Sequence, residues 1–476
     1  MKLKNLIQNV PGVVVKGSKE VTITGMTAHS RQVAPGHLFV AKRGRNTDGS
    51  RFIPDAVASG AAAILTDMYD PFLPGVSQII HPDVASLEHI FAARFFALKK
   101  ENLFRIGITG TNGKTTTSYL VRHLFEDCGL IGTVEWLIGD RCFPSLQTTP
   151  DVITNHRLLS EMQLAGCKAA VMEVSSHGLD QGRVAGIDFD VAIFTNITRD
   201  HLDYHKTWEG YVNAKALLFT SLGKDKTAVV NADDPSKEAL LRCCRAHVLS
   251  YGLQEGAILQ AKHVVLESTG TSFDIFYGGK NYSCRLPLIG KHNVYNALAA
   301  LGAGLARGCP LEIMIERLLT FGGASGRLEK VENTRGIHVF VDYAHTEDAL
   351  LHVLTSLREC TKNRIITVFG CGGDRDRGKR AAMGAASTTL SDMTFITSDN
   401  PRTEDPQKII EDIVEGAKGP FQIEGDRREA IAKAIAFAEP GDIVLIAGKG
   451  HETQQIYAHS VIAFDDRLVA KELGAK

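Results

Sequence analysis

Charge of one sign, long apolar runs and paired cysteines are all missing from this chain of 476 residues, and each absence removes a class of protein. Lys and Arg total 53 against 54 Asp and Glu, a formal net charge of -1, so no global field draws the chain to nucleic acid or to an anionic membrane. No uninterrupted apolar stretch approaches membrane-spanning length, and the opening MKLKNLIQNVPG has no signal-peptide core; neither membrane insertion nor export is expected. The cysteines at 128, 142, 167, 243, 244, 284, 309, 360 and 371 form no C-x-x-C pair and no disulfide framework, so reduced thiols in the cytoplasm are the expectation. There is no internal repeat and no low-complexity tract. What is present is 44% hydrophobic and 22% charged residues, enough to bury a core in each of two to four domains.

The patterning divides the chain into three segments of an α/β protein. Residues 1–100 mix short strands with turn signals, as in VTITGMTAHSRQVAPGHLFVA, and close on a helix over Pro82–Lys100. The polar stretch Lys99-Lys100-Glu101-Asn102 marks the first boundary. Residues 101–330 alternate helical patterns with short buried strands at Phe104–Thr109, Ala169–Val174, Val191–Thr195 and Ala228–Asn231, the signature of a mainly parallel sheet covered by helices. Residues 331–476 repeat that alternation with strands at Ile337–Tyr343, Arg364–Phe369, Met393–Thr397 and Ile443–Ala447, which predicts a doubly wound, Rossmann-like domain.

The strongest single signal is Gly107-Ile-Thr-Gly110-Thr111-Asn112-Gly113-Lys114-Thr115-Thr116, between the strand at Phe104 and a helix expected over Thr115–Cys128. Glycines let the backbone curl so that N–H groups face phosphate oxygens, and the helix N-terminus adds positive potential. Lys114 brings a mobile cation to the outer phosphates, and Thr115 a hydroxyl to Mg2+. The spacing departs from the standard phosphate loop: Ile108 stands where glycine is expected, and Gly107 lies one residue too far back. A plain glycine turn is the bland alternative, disfavoured by Gly-Lys-Thr-Thr in this context.

Ligands of parallel sheets sit beyond the carboxyl ends of the strands. There the sequence places Glu173-Val-Ser-Ser176-His177, then Arg199-Asp200-His201-Leu-Asp203-Tyr-His205, and a helix with Tyr211-Val-Asn-Ala-Lys215. Glu173 and His201 are candidate ligands for a divalent ion beside a triphosphate. Each alone has an ordinary alternative, a solvated strand-end carboxylate or a satisfied histidine; their shared position favours the functional reading. Lys215 by itself reads as a solvated helical lysine.

The order of these motifs resembles that of the Mur ligases. Gly110 to Thr116, Glu173 to His177, Asp200-His-Leu-Asp203, His292-Asn293-Val-Tyr-Asn296, Gly326-Arg327 and Asp342-Tyr-Ala-His345 look like that family's motif set. Ser30-Arg31-Gln-Val-Ala-Pro-Gly36 is similar to the UDP-binding segment of its tripeptide synthetases. The resemblance covers essentially the whole chain. It implies a UDP-binding domain over 1–100, an ATP-binding domain over 101–330 and an amino-acid-binding domain over 331–476. By the same resemblance, two Mg2+ ions would be held by Thr115, Glu173, His201 and Lys215, the last as an N6-carboxylysine. CO2 adds only to a neutral amine, free lysine has a pKa of about 10.4, and a desolvated, cation-rich setting favours the neutral form. Asn293, Arg327 and Asp342 would join Gly110 to Thr116 on ATP, and Asn296 lies one helical turn beyond Asn293 on the same face. Ser30, Thr148, Thr149, Ser176 and Arg183 would meet the UDP-linked muramoyl dipeptide.

What the resemblance implies chemically is transfer of the ATP γ-phosphoryl to a carboxylate, giving an acyl phosphate that an amine attacks. Both steps build negative charge beside phosphates, so fixed cations are the main catalytic need. Lys114, Lys215, His201 and His345 are the expected catalytic set, and closure of the C-terminal domain would bring His345 and Arg327 in and exclude water. Asp399-Asn400-Pro401-Arg402 is similar to the signature of family members that add meso-diaminopimelate. That substrate is lysine with a second carboxylate, which a guanidinium can pair bidentately. Arg375, Gly448 and Glu452 match the remaining contacts, with Glu452 placed for the distal ammonium. A bare β-turn is the alternative for Asn-Pro. Three positions depart from the family pattern: Glu347 and Ala381 where proline is common, and Ser50 where histidine is common. The rival functions are a lysine-adding ligase of the same fold, a folylpolyglutamate synthetase and an ATP-binding switch without ligase activity. Arg402 opposes the first, the UDP-binding segment the second and the amino-acid domain the third. A monomer acting on small molecules, with no nucleic acid partner, is expected.

Overall fold

The computed structural model describes residues 1–44, 47–73, 75–97, 103–267 and 269–474. Two compact units emerge. One comprises Met1–Asn112, Phe125–Val229 and Pro235–Val248; the other Gly113–Leu124, Val230–Asp234 and Leu249–Lys476.

The first unit opens with a five-stranded sheet. Its spatial order is Val14–Lys16, Ser77–Ile80, Ala63–Thr66, His37–Val40 and Gly25–Thr27, with only the first pair antiparallel. Leu38, Val40 and Leu65 bury against Phe91 of the helix Val84–Phe96, and Val152 and Ile153 of the helix Val152–Leu164 enter the same core. That shared core fixes the small sheet against the element whose N-cap, Asp151, borders a large cavity.

The rest of this unit is built on the strand Phe104–Thr109. It pairs in parallel with Ala169–Glu173, Glu173 standing opposite Ile108, and with Val191–Phe194, Phe194 standing opposite Thr109. These strands are apolar at nearly every position because both faces are covered. Cys128–Ile131 extends the parallel set, and Glu135–Ile138 with Arg141–Pro144 adds an antiparallel edge.

In the second unit the helix Lys114–Leu124 packs on the helix Lys291–Ala306. Leu259–Glu267, Gly270–Tyr277 and Lys280–Leu286 form an antiparallel meander that the sequence patterning did not announce. Beyond it lies a six-stranded sheet in the order Glu329–Val331, His338–Asp342, Ile443–Ala447, Ile365–Phe369, Met393–Ile396 and Phe421–Ile423, antiparallel only at the first pair. Alternation of side chains sends Phe340, Ile365, Phe369 and Leu445 to one helical layer, with Leu350, Leu354, Met383 and Ile409. Val339, Ile366, Val368 and Ile446 face the other layer, with Ile431, Ala434 and Val469. This is the doubly wound arrangement expected from the sequence.

Two helix bounds differ from expectation. The helix expected over Thr115–Cys128 spans Lys114–Leu124, because the chain reverses through Asp127 (φ 51°) and Cys128 begins a buried strand. The helix expected over Pro82–Lys100 spans Val84–Phe96, capped by the Asp83 carboxylate and ended by Ala97 in the left-handed region. The boundary placed at Lys99 to Asn102 lies outside the described residues. Among the described residues no disulfide forms, and no helix is long and apolar enough to cross a membrane.

One ion pair underlies the carboxyl ends of the C-terminal strands. Arg427 and Asp466 are both fully buried, joined by Nε–Oδ1 at 2.8 Å and Nη2–Oδ2 at 2.6 Å. The same guanidinium donates to the carbonyls of Ala447 (3.1 Å) and Ser398 (3.4 Å). Asp466→Ala leaves a buried cation uncompensated and is expected to cost about 3 kcal/mol of unfolding free energy. Urea unfolding of the two proteins measures the difference; a change under about 1 kcal/mol would show that the pair is dispensable.

Candidate functional site

The phosphate loop leaves its strand through Gly110. A Cβ there would lie 1.9 Å from Thr195 Oγ1, so only glycine lets the backbone pass. The Thr111 N–H donates to Asn196 O (2.8 Å), the Asn112 N–H to Asn196 Oδ1 (3.0 Å), and Thr195 Oγ1 to Asn112 O (2.7 Å). Lys215 reaches this loop: its buried Nζ donates to Gly110 O at 2.8 Å and lies 4.6 Å above the Tyr211 ring. Burial pushes the Tyr211 phenol up to about 12, and its hydroxyl shares a hydrogen bond with Thr111 Oγ1 at 3.0 Å.

Glu173 is fully buried at the end of its strand. Its carboxylate accepts from the Thr133 N–H and from Thr133 Oγ1, both at 2.9 Å, and a Cβ on Gly132 would stand 2.6 Å from Oε1. Thr133 Oγ1 is 3.0 Å from Thr148 Oγ1, while Thr149 Oγ1 donates to the Glu173 carbonyl at 2.9 Å. The expected carboxylate and the Thr148-Thr149 segment therefore meet in one network. Ser176, buried at the head of the helix Ser176–Asp180, has a hydroxyl without a hydrogen-bond partner among the described residues. His201 adopts φ 53° before the short helix Leu202–His205, and its ring lies 4.8 Å from that of His177. Burial, with the neighbouring His201 and His205 charges, pushes His177 down to about 4. A carboxylate and hydroxyls are the hard oxygen donors that Mg2+ takes. Among the described residues no group of three His, Cys, Asp or Glu side chains is gathered tightly enough to hold a metal unaided.

In the second unit, Lys114 and Thr115 begin the helix that follows the loop. Gly113 has φ 86°, and a Cβ there would lie 2.4 Å from Asn296 Oδ1. Asn296 accepts from Thr117 Oγ1 (3.3 Å) and donates to Asn293 Oδ1 (3.0 Å), and Asn293 donates to Ile289 O (2.8 Å). The two asparagines thus share one buried face, as their spacing implied.

A cavity of about 1210 Å3 in the first unit is lined by His29, Lys42, Glu88, Asp151, Arg183 and Tyr204, among others. Of the expected UDP-substrate residues only Arg183 lines it directly, its Nη1 donating to Gln147 Oε1 (2.7 Å) and Thr149 O (2.8 Å). Ser30 begins the 3-10 turn between the lining residues His29 and Gln32. Lys42 Nζ lies 2.5 Å from Glu88 Oε2, and burial raises the Glu88 carboxyl against that cation. His29 Nε2 stands 3.8 Å from Asp151 Oδ2, and the carboxylate raises the imidazole above 6.5 despite partial burial. His29, Lys42 and Glu88 went unread in the sequence because each is a single polar residue outside any motif, on three separate segments of the chain.

A raised histidine pKa means that the His29–Asp151 pairing stabilises the fold fully below pH 6.5 and that this contribution is lost as pH rises through the elevated value. The His29 imidazole is expected to titrate above 6.5 by NMR and to move back toward 6.5 in Asp151→Asn. Asparagine keeps the N-cap that Asp151 makes to the Thr154 N–H, so the helix survives the test. A His29 midpoint indifferent to that change would break the assignment.

The C-terminal residues gather at neighbouring strand ends. Asp342 is buried, its carboxylate accepting from the N–H groups of Leu328 (2.7 Å) and Ala344 (2.8 Å); burial raises its pKa against these and the Arg327 charge. The Arg327 guanidinium lies 4.9 Å over the Tyr343 ring, which also meets the His345 ring at 4.6 Å and the His451 ring at 5.1 Å. Asp399 and Asn400 are buried, and Asn400 Nδ2 donates to Glu452 Oε2 at 2.7 Å. Arg402 is half-buried with φ 53°; its Nη1 donates to Gly373 O at 2.7 Å and its N–H to Ile456 O at 3.0 Å. A Cβ on Gly448 would lie 2.7 Å from Asp399 Oδ2. Arg375 is exposed on the loop after Ile365–Phe369. The Asp-Asn-Pro-Arg stretch is more than a turn, since Asn400 is a buried hydrogen-bonding hub. The three departures are absorbed locally: Glu347 begins a helix capped by Thr346, Ser50 donates its N–H to Asp48, and Ala381 lies in the helix Gly378–Leu390.

Residues 22–94 match the catalytic domain of the Mur ligase family, residues 108–304 the Mur ligase middle domain, and residues 326–450 the Mur ligase, glutamate ligase domain. UDP-N-acetylmuramoyl-L-alanyl-D-glutamate–2,6-diaminopimelate ligase of Bacillus cereus is 43% identical over 483 residues, 99% of this chain and 98% of the relative. The protein of that name from Chlamydia abortus is 43% identical over 477 residues, covering 98% of each. A solved structure of an enzyme with the same name superposes with a TM-score of 0.73 at 32% identity, covering 99% of this chain and 98% of the other. With full-length relatives at this identity and three domain models matched in order, the chain belongs to the Mur ligase family.

Proposed function

We propose that this chain is an ATP- and Mg2+-dependent ligase that joins meso-2,6-diaminopimelate to UDP-N-acetylmuramoyl-L-alanyl-D-glutamate in peptidoglycan synthesis, releasing ADP and phosphate. The observation that carries the substrate is the cluster in which Asn400, Arg402, Gly448 and Glu452 converge at adjoining strand ends, in a chain whose full-length relatives are named for this reaction. Arg402 pairs with the distal carboxylate, Glu452 receives the distal ammonium, and Arg375, Asp399, Asn400 and Pro401 complete the amino-acid site. The large cavity of the first unit, with Arg183 in its wall, takes the UDP-linked dipeptide, and Ser30, Thr148, Thr149 and Ser176 meet the same substrate. Gly110 to Thr116, Asn293, Arg327 and Asp342 hold ATP. Residues 1–100, 101–330 and 331–476 are the corresponding functional domains of a cytoplasmic monomer.

The chain's own groups account for the chemistry. Lys114 and the N-terminus of its helix place positive charge against the transferring phosphoryl group. The substrate carboxylate takes that group to give an acyl phosphate; the amine attacks, and phosphate leaves. His345, at the edge of the Arg327–Tyr343 stack, orients the reacting end. Mg2+, which Thr115, Glu173, His201 and a carboxylated Lys215 would hold, supplies charge neutralisation at the phosphates.

Phosphate release tests the reading directly. It should require the UDP-dipeptide together with diaminopimelate, and fall by orders of magnitude when lysine is supplied instead. Equal turnover with lysine would favour the lysine-adding alternative, and release without either substrate an ATP switch. Hydroxylamine added in place of the amino acid should trap the acyl phosphate as a hydroxamate.

A further inference from the structure

Lys449 is fully buried on the loop that follows the strand Ile443–Ala447. An ammonium in that position is tolerated only when its donors are met by acceptors. Here three acceptors surround it: Gln454 O at 2.6 Å, Asn400 Oδ1 at 3.1 Å and Glu452 Oε2 at 3.3 Å.

This arrangement fixes two neighbours. Asn400 Oδ1 faces two donors, Lys449 Nζ and the Ile456 N–H at 3.0 Å, so the amide has one sensible orientation. Its Nδ2 must then point the other way, where it donates to Glu452 Oε2. Glu452 therefore receives both protein donors on one oxygen. The carboxylate is a third exposed, and its Oε1 takes no hydrogen bond from a described residue. A carboxylate pinned through one oxygen presents the other in a fixed direction.

From this geometry we infer that Lys449 is a positioning residue for amino-acid selection. It holds the Glu452 side chain oriented, through its own contact and through Asn400, so that Oε1 meets the ammonium group of the incoming amino acid. The inference rests on the reading of this loop as the amino-acid site. It assigns the specificity for a cationic side-chain end to a three-residue relay, Lys449–Asn400–Glu452, and not to Glu452 alone.

The test is a mutant cycle in the full-length protein. Lys449→Met keeps the length of the side chain and removes its charge; Lys449→Gln serves if the methionine variant melts early. Either is expected to raise KM for diaminopimelate about tenfold or more, with kcat and the KM values for ATP and UDP-dipeptide within about threefold of the parent. In a Glu452→Gln background the same change should add less than about threefold, because the group through which Lys449 acts has gone. A purely structural lysine would shift all three KM values, or act equally in both backgrounds, and either result overturns the inference. If Glu452→Gln raises KM and Lys449→Met does not, the amino-acid site stands and the relay falls. If Glu452→Gln itself changes nothing, the reading of the loop falls, and the relay with it.

Discussion

Arg402→Ala is expected to lower kcat/KM for diaminopimelate by about a thousandfold, almost entirely through KM, while the KM values for ATP and UDP-dipeptide hold. The size follows from how the guanidinium is prepared. The residue is half-buried, its backbone is held in the left-handed region by the N–H bond to Ile456 O, and Nη1 is committed to Gly373 O. A Cβ on Gly372 would approach Nη1 to 2.9 Å, so glycine at that position leaves the guanidinium its space. A planar group held this way pairs with a carboxylate through two parallel bonds at little entropic cost. Lysine, which lacks the carboxylate, leaves the fork unmatched, and the same variant should therefore narrow the preference for diaminopimelate over lysine from both sides. Arg402→Lys keeps the charge but not the fork and should fall between. Initial-rate measurements with each amino acid decide it; an Arg402→Ala enzyme with the parent's KM for diaminopimelate would remove Arg402 from the site.

Much of this was legible in the sequence, for physical reasons that differ by residue. Gly110 and Gly113 were readable because their backbones admit no Cβ, Thr195 Oγ1 and Asn296 Oδ1 standing within 2.4 Å of where it would be. The eight strands read from apolar runs all formed to within two residues, since strands buried on both faces carry continuous apolar sequence. The meander over Leu259–Leu286 was missed because apolar Val265 and Phe276 stand on its exposed face and a register shift between Lys262 and Val265 interrupts the alternation. Cys128 was assigned to the wrong element because Leu124-Phe125 continues the helical apolar pattern up to the reversal at Asp127. Lys449 lay inside the Gly448 to Glu452 motif, yet its role depends on Asn400, forty-nine positions earlier, and on a burial that no spacing reveals. Lys42 with Glu88, and His29 with Asp151, are likewise pairings made only by the fold.

Lys215 is where local chemistry and the proposed reaction meet most closely, and its replacement should have the largest effect on turnover. As an amine it is buried, donating to Gly110 O and lying over the Tyr211 ring. Addition of CO2 to the neutral amine replaces one N–H bond by an N–C bond, releases that proton to solvent and leaves one N–H, so the bond to Gly110 O can persist while a carboxylate is gained. The nitrogen would still brace the phosphate loop, and the new oxygens would serve as metal ligands. Lys215→Ala removes both and is expected to reduce kcat by about a thousandfold or more, a loss of the order seen when one fixed charge-stabilising group is deleted from a reacting centre. The two roles separate by experiment. Intact-protein mass spectrometry at neutral pH should show an adduct of one CO2, confined to Lys215 and absent from Lys215→Met. Buffers stripped of CO2 should lower the activity of the parent enzyme reversibly, with bicarbonate restoring it. If stripping CO2 leaves the rate untouched while Lys215→Ala abolishes it, the lysine acts as an ammonium brace on Gly110, and the carboxylated form has no part in the reaction.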